Sequence, residues 1–257
     1  MLNKIFYRKA LLTTLITASA ISYAPMGNAA LASYSQNFES LNAKISTALS
    51  DAGFDIYENS YNDQALTSRY NSAGPMPARN DHQSFAWVVT GQGDQAQGNQ
   101  QLKILSNYYS KYQGIRYIDA LTLQQQTIGT SDLGTTWTFS FDAKLGDIAN
   151  DVTGDSSAFA WIRAIDGGNT LGETRLETTS LGLNWGSYTV SLLIDPSWSG
   201  KTLEFGFKSA AKNYSPSGVY YDNLSLAGTS AVPVPAAAWL FGSGLLGLIG
   251  FARRRKR

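Results

Sequence analysis

The feature that most restricts this chain is an alternation of apolar and polar residues with period two. Between residues 136 and 143, Trp137, Phe139, Phe141 and Ala143 fall on one side and Thr138, Ser140 and Asp142 on the other. Only extended backbone sends successive side chains to opposite faces, so this run reads as an antiparallel strand with one buried face. The same spacing recurs at Tyr188, Val190, Leu192 and Ile194, and again at Leu203, Phe205 and Phe207 between Thr202, Glu204 and Lys208. Further strands are expected over residues 85–89, 101–105, 121–128, 158–165, 174–180 and 219–226. Glycine-, proline- and aspartate-rich turns punctuate these runs, as in Asp166-Gly167-Gly168-Asn169 and Asp195-Pro196-Ser197. Many short strands without a long helix predict an all-β, antiparallel β-sandwich of two packed sheets, with Trp137 in its core. A short helix fits residues 41–49, and residues 50–80 show no clear period and read as a long loop or an insertion.

Both ends of the chain carry a different message. Lys4, Arg8 and Lys9 precede the apolar run of residues 10–21, and small residues follow, with Gly27 and Ala29 or Ala30 and Ala32 placed for cleavage. That order marks residues 1–30 as a secretory signal peptide, too short in its apolar part to span a bilayer. At the other end, residues 236–252 contain one polar side chain, Ser243, and run into Arg253, Arg254, Arg255, Lys256 and Arg257. Such a helix is long enough, at its lower limit, to be a transmembrane segment, with the basic tail (253–257) cytoplasmic by the positive-inside rule.

Setting both segments aside changes the charge. Three of the 20 Lys and Arg precede residue 31 and five follow residue 252, leaving 12 cations against all 19 acidic residues, a net charge of about −7 between the two signals. An acidic domain argues against nucleic acid, whose phosphates need a basic surface. There is no cysteine, so disulfides and thiol chemistry are excluded.

The C-terminal residues Val232-Pro233-Val234-Pro235, the apolar stretch Ala236-Ala237-Ala238-Trp239-Leu240-Phe241-Gly242-Ser243-Gly244-Leu245-Leu246-Gly247-Leu248 and the cluster Arg253, Arg254 and Arg255 together resemble the PEP-CTERM sorting signal. Val234 stands where that signal's namesake has Glu. The resemblance implies that an exosortase, a membrane protease-transpeptidase, recognises and cuts the chain near Pro233–Pro235 after transient anchoring in the inner membrane. Two prolines favour extended backbone there, and residues 229–235 serve as linker and motif. An unprocessed membrane anchor is the plainer alternative. Proteins so tagged belong to bacteria that make exopolysaccharide, biofilm or flocs.

The domain between the signals, residues 31–228, resembles jelly-roll carbohydrate-binding modules of the galactose-binding-like type. Asn37-Phe38-Glu39 is similar to their opening strand, Trp87 and Gly98–Lys103 to the second and third, residues 136–144 to the central strand, and Trp185–Val190 and Gly218–Leu226 to the closing strands. In such modules a structural Ca2+ lies near the first and last strands, which implies Glu39 and Asp222 as its ligands here. Hard oxygen donors suit calcium. A solvated Glu39 and a turn-capping Asp222 remain the alternative. Asp147, Asp151 and Asp155 lack the EF-hand order and read as a solvated loop.

The only histidine, His82, excludes a multi-histidine metal centre and lacks a nucleophile-elbow sequence, so it reads as a surface residue. Paired carboxylates for glycoside hydrolysis cannot be selected from 19 acids. Sugar binding uses exposed rings as stacking platforms. Tyr108, Tyr109, Tyr112 and Tyr117 crowd one polar stretch with Lys111 and Arg116, and Trp161, Trp185, Trp198 and Tyr214 are further candidates. The expectation is a non-enzymatic, exported protein of the cell surface or extracellular matrix that associates with polysaccharide in biofilm or floc formation. A dedicated carbohydrate-binding module is the alternative, and a polysaccharide hydrolase ranks third.

Overall fold

The computed structural model describes residues 30–45, 47–62, 65–72, 86–106, 117–212 and 215–229. Strands follow one another as β1 (Tyr34–Gln36), β2 (Asp55–Asn62), β3 (Ala65–Ser72), β4 (Ala86–Thr90), β5 (Gln100–Ile104) and β6 (Tyr117–Thr127). After them come β7 (Thr136–Leu145), β8 (Ser156–Asp166), β9 (Asn169–Glu177), β10 (Gly186–Leu193), β11 (Thr202–Lys212) and β12 (Val219–Thr229). Among the described residues these make two six-stranded sheets with antiparallel pairing throughout. Sheet A has the order β10-β7-β12-β5-β4, with β1 also on β12, and sheet B the order β3-β2-β6-β11-β8-β9.

The sheets face each other across the side chains that the alternation assigned to the interior. Trp137, Phe139, Phe141 and Ala143 of β7 are all buried, and so are Leu203, Phe205 and Phe207 of β11. Phe139 packs on Phe205 at 5.1 Å between ring centroids, and Phe141 meets Phe207 edge-on at 5.1 Å. Phe207 also stacks on Tyr221 of β12 at 3.8 Å. The inner face of β8 offers Ala158, Ala160, Ile162 and Ala164, mostly small side chains that leave room for the large rings of the core. The buried Tyr221 hydroxyl shares a hydrogen bond with Thr178 at 2.9 Å, and burial pushes its pKa upward.

Four expectations need correction. Residues 50–80 are not a structureless insertion: β2 and β3 form a hairpin whose first strand pairs with β6 along Asp55–Tyr61. The period was masked because β2 is used on both faces, Phe54 and Ile56 entering the core while Tyr57, Asn59 and Tyr61 point the other way. The helix over residues 41–49 shrinks to one turn, Ala48–Asp51, because helix nucleation is costly and nothing extends it. The opening strand stops at Gln36. Phe38 has a left-handed φ of 60° that turns the chain and buries its ring against Phe54. The strand expected at 174–180 starts earlier, at Asn169. The signal-peptide, linker, transmembrane and basic-tail segments lie outside the described residues, as does His82. No helix among the described residues is long and apolar enough to cross a membrane.

Candidate functional site

The outward face of sheet B is amphipathic in a way that solvent alone does not require. Strand register puts Tyr57, Leu121, Lys208 and Phe159 in one row across β2, β6, β11 and β8, and Leu123, Gly206 and Trp161 in the next. Gly206 has no room for a side chain, since a Cβ there would lie 2.2 Å from the Thr122 carbonyl oxygen. The gap it leaves between Leu123 and Trp161 lets the indole pack against the leucines as a small second cluster. Phe159 meets Trp161 edge-on at 5.8 Å.

Charged groups frame these rings. Lys208 Nζ lies 2.5 Å from Asp119 Oδ2 and 5.6 Å from the Phe159 centroid. Burial raises the pKa of Asp119, opposed by the charge and hydrogen bond of Lys208 and by a hydrogen bond from Tyr61. Arg163 grips Glu204 through Nε (2.7 Å) and Nη2 (2.6 Å), and Gln125 Nε2 donates to the other oxygen of Glu204 at 2.8 Å. Glu204 occupies an outward position yet is only 4% exposed, because this arginine and glutamine lie over it. Between them opens a cleft of about 280 Å³ lined by Asn59, Tyr61, Asp119, Phe159, Trp161 and Lys208, with Leu121 and Arg163 completing its walls. Rings for stacking, beside an amide, a carboxylate and two cations for hydroxyl groups, are the chemistry of a polar, ring-shaped ligand.

Of these residues only Trp161 is a stacking candidate from the sequence, and the structure gives it a different part. It is 1% exposed, so it forms the floor of the cleft rather than a platform, and its indole N–H is buried without a hydrogen-bond partner. Trp198 is half-buried and packs on the core edge, over Gly172. Trp185 is half-buried on the other sheet. Tyr108, Tyr109, Tyr112 and Tyr214 lie outside the described residues, and Tyr117 opens β6. Tyr57, Tyr61 and Phe159 do not stand out in the sequence, because residues 50–80 show no strand period and nothing in the run 158–165 marks which face Phe159 occupies. The signal was the pairing of outward aromatics with Lys and Arg on adjacent strands, which sequence does not align.

The two residues implied for calcium do come together, on the outward side of sheet A. β12 has a bulge after Asp222, with Asn223 at a left-handed φ of 48°. Asp222 is fully buried. Its Oδ1 accepts the Asn223 backbone N–H at 2.6 Å, and its Oδ2 has no hydrogen-bond partner. Burial pushes its pKa up to about 7. The Asn223 N–H opposes this, the negative charges of Glu39 and Asp142 add to it, and Gln101 opposes it. Glu39 Oε1 accepts the backbone N–H groups of Asn99 (2.8 Å) and Gln100 (2.6 Å), which closes the β4–β5 loop over this spot. Gln97 Oε1, in that loop, is also buried and without a partner.

Buried acceptors without donors, and a carboxyl raised by burial and further by two like charges, fit a hard cation. Among the described residues no group of three or more His, Cys, Asp and Glu stands in metal-binding array, so such an ion would draw on amide and backbone oxygens as well. Asp151 is occupied otherwise, accepting from Thr153 and Ser156, and Asp147 pairs with Lys103.

No protein-family model matches the sequence, and no curated protein matches it either. Similar solved structures include a cyclase from Fischerella sp., 18% identical with a TM-score of 0.45 over 75% of this chain and 89% of that one. A carbohydrate-binding module of the β-sandwich superfamily is 13% identical, with a TM-score of 0.42 over 74% of this chain and 60% of that one. The enzymatically active domain of a bacteriophage CBA120 tailspike protein is 12% identical, with a TM-score of 0.43 over 74% of this chain, which spans only 21% of the tailspike's length. At these scores the likenesses carry no argument about activity, and the fold rests on the strand register itself.

Proposed function

We propose that this chain is an exported, non-enzymatic surface or matrix protein whose β-sandwich holds extracellular polysaccharide through the outward face of sheet B. The observation that carries the reading is the cleft in which Tyr61 and Phe159 stand beside Asn59, Asp119, Lys208 and Arg163. A sugar ring offers an apolar face to such rings and hydroxyl groups to such polar atoms. Binding is favoured over hydrolysis by the state of the carboxylates. Asp119 is tied to Lys208, and Glu204 is held by Arg163 and Gln125, so neither carboxylate is free to serve as nucleophile among the described residues of the cleft.

Export and release rest on the sequence: the N-terminal signal, the Pro233-Val234-Pro235 motif, the apolar segment and the arginine cluster, with an exosortase as processing partner and the inner membrane as transient anchor. Calcium at Asp222 and Glu39 is the proposed structural ion, joining the turn after β1, the β4–β5 loop and the β12 bulge. Retention of the full chain by the producer's own exopolysaccharide tests the central reading. Phe159→Ala or Tyr61→Ala should weaken it several-fold with an unchanged melting curve; unaltered retention in both variants would remove sheet B as the binding face.

A further inference from the structure

The outward face of sheet A carries a pattern that neither the sheet B cleft nor the cation site uses. Strand register brings Trp87 of β4 opposite Lys103 of β5, Lys103 opposite Tyr220 of β12, and Tyr220 opposite Lys144 of β7. Trp185, the residue before β10, closes the row against Lys144. The result is an unbroken cross-strand ladder of ring, ammonium, ring, ammonium, ring. Lys103 Nζ sits 5.4 Å from the centroids of both Trp87 and Tyr220. Lys144 Nζ sits 5.4 Å from Tyr220 and 5.2 Å from Trp185.

Every side chain of this row is half-buried, so each keeps part of its surface open to solvent. A groove of about 600 Å³ opens over its Trp87–Lys103–Tyr220 half, with the Leu41–Lys44 segment as its far wall. The lining includes Lys44 and Lys103 and no carboxylate, although acids outnumber cations 19 to 12 between the two terminal signals. Lys103 donates to Asp147 at 2.6 Å and Lys144 to the Gln92 carbonyl at 2.6 Å, one of the three donors that each ammonium carries. Asp147 is half-exposed while Lys103 is only 13% exposed, so the pair opens to solvent on its carboxylate side, where a ligand anion can compete for the ammonium. Successive rings stand two strands apart, roughly 10 Å at the usual strand spacing, which is about the length of a disaccharide.

We infer that the sheet A groove is a second glycan surface, selective for acidic polysaccharide, in which Trp87 and Tyr220 stack on sugar rings and Lys44, Lys103 and Lys144 meet the uronate carboxylates between them. Charge complementarity selects this occupant. In an acidic domain a neutral glycan would not need cations interleaved with the rings, and a cationic one would be repelled by them. The surface lies on the opposite sheet from the cleft of the proposed function and does not depend on that reading.

The test is electrophoretic retardation of the full chain, in detergent, through native gels containing polygalacturonate or its fully methyl-esterified, uncharged form, at one fixed calcium concentration. Polygalacturonate should retard the protein and the ester should not, and raised salt should weaken the effect, because the half-buried ammonium groups still meet solvent at the groove. Lys103→Gln with Lys144→Gln should lower retention about tenfold, in line with two half-buried charge contacts, and Lys103→Arg with Lys144→Arg should restore most of it. Trp87→Ala, at the sheet edge, should also lower it. Equal retardation by the ester, or full retention in the glutamine variant, overturns the proposal. A loss in Phe159→Ala as large as that in the lysine variant also overturns it, while leaving polysaccharide binding by sheet B standing. Failure of the sheet B variants alone would leave the sheet A surface intact.

Discussion

Asp222 and Asp142 stand directly opposite each other on β12 and β7, both on the outward side of sheet A. Like charges in that position oppose strand pairing, and the chain answers with unequal treatment. Burial works to raise the pKa of Asp142, but hydrogen bonds from Asn223 (2.8 Å), Ser187 (2.6 Å) and Gln97 (2.9 Å) outweigh it and hold the group below the usual carboxylate value. Asp222 is shut off from solvent, its one close donor is the Asn223 backbone N–H with a weaker contribution from Gln101, and its pKa rises to about 7. One carboxylate is made safe by donors. The other is left waiting for a proton or a cation.

That asymmetry makes calcium dependence testable. Calcium should raise the melting temperature of the wild-type chain, and a chelator should reverse the gain. Asp222→Asn should abolish the response to calcium while melting higher than the wild type in chelator, because the amide removes a buried charge beside Glu39 and Asp142. Calorimetry with and without calcium reads both; a variant that still gains stability from calcium would place the ion elsewhere.

The same group sets a pH slope in the chelated protein. Asp222 keeps its proton up to about pH 7 when folded and loses it near the ordinary carboxylate value when unfolded. The folded state therefore binds more protons across that window, and the stabilisation present at lower pH is lost as pH rises through 7. Denaturant midpoints in chelator should fall from pH 4.5 to pH 7.5, and Asp222→Asn should flatten that part of the profile.

Gly206 is the point at which sheet B is most sensitive to a single methyl group. Gly206→Ala puts Cβ against the Thr122 oxygen and the Leu123 Cα, both backbone atoms of the neighbouring strand. Overpacking of this kind should cost about 1–3 kcal/mol, read as a lower urea midpoint, with loss of the sheet B cleft as strand β6 is pushed away.

Glu204 depends on its cation. Arg163→Ala removes both the charge partner and part of the cover of Glu204, which keeps the Gln125 hydrogen bond and gains solvent, and should destabilise the domain by about 2 kcal/mol, less than breaking a fully buried pair. Adding Glu204→Gln should return much of that loss, since no charge then remains to be solvated. A single variant as stable as the wild type would show that the pair contributes no net stability.

Local sequence was enough for several elements and for none of the sites in full. The alternation in β7, β10 and β11 names which side chains face inward, because strand geometry forces it wherever one face is dry. It failed for β2, where Phe54 and Ile56 serve the core and Tyr57, Asn59 and Tyr61 serve the cleft, so no single face stands out. Glu39 and Asp222 were reached through resemblance, yet Gln97, Asn223 and Asp142 entered only when the β4–β5 loop folded over the β12 bulge.

What the sequence determined by itself is the material of this protein: strands with one apolar face, apolar runs near both termini flanked by cations, and an acidic stretch without cysteine between them. Tertiary structure decided the neighbours. Trp87, Lys103, Tyr220 and Lys144 are scattered along the chain and form one row only because antiparallel register sets them opposite one another. Asp222 keeps its proton only because a distant loop excludes water and two other carboxylates come close. Composition and period are local properties, whereas register, burial and electrostatic coupling belong to pairs of residues that meet only after the chain has folded.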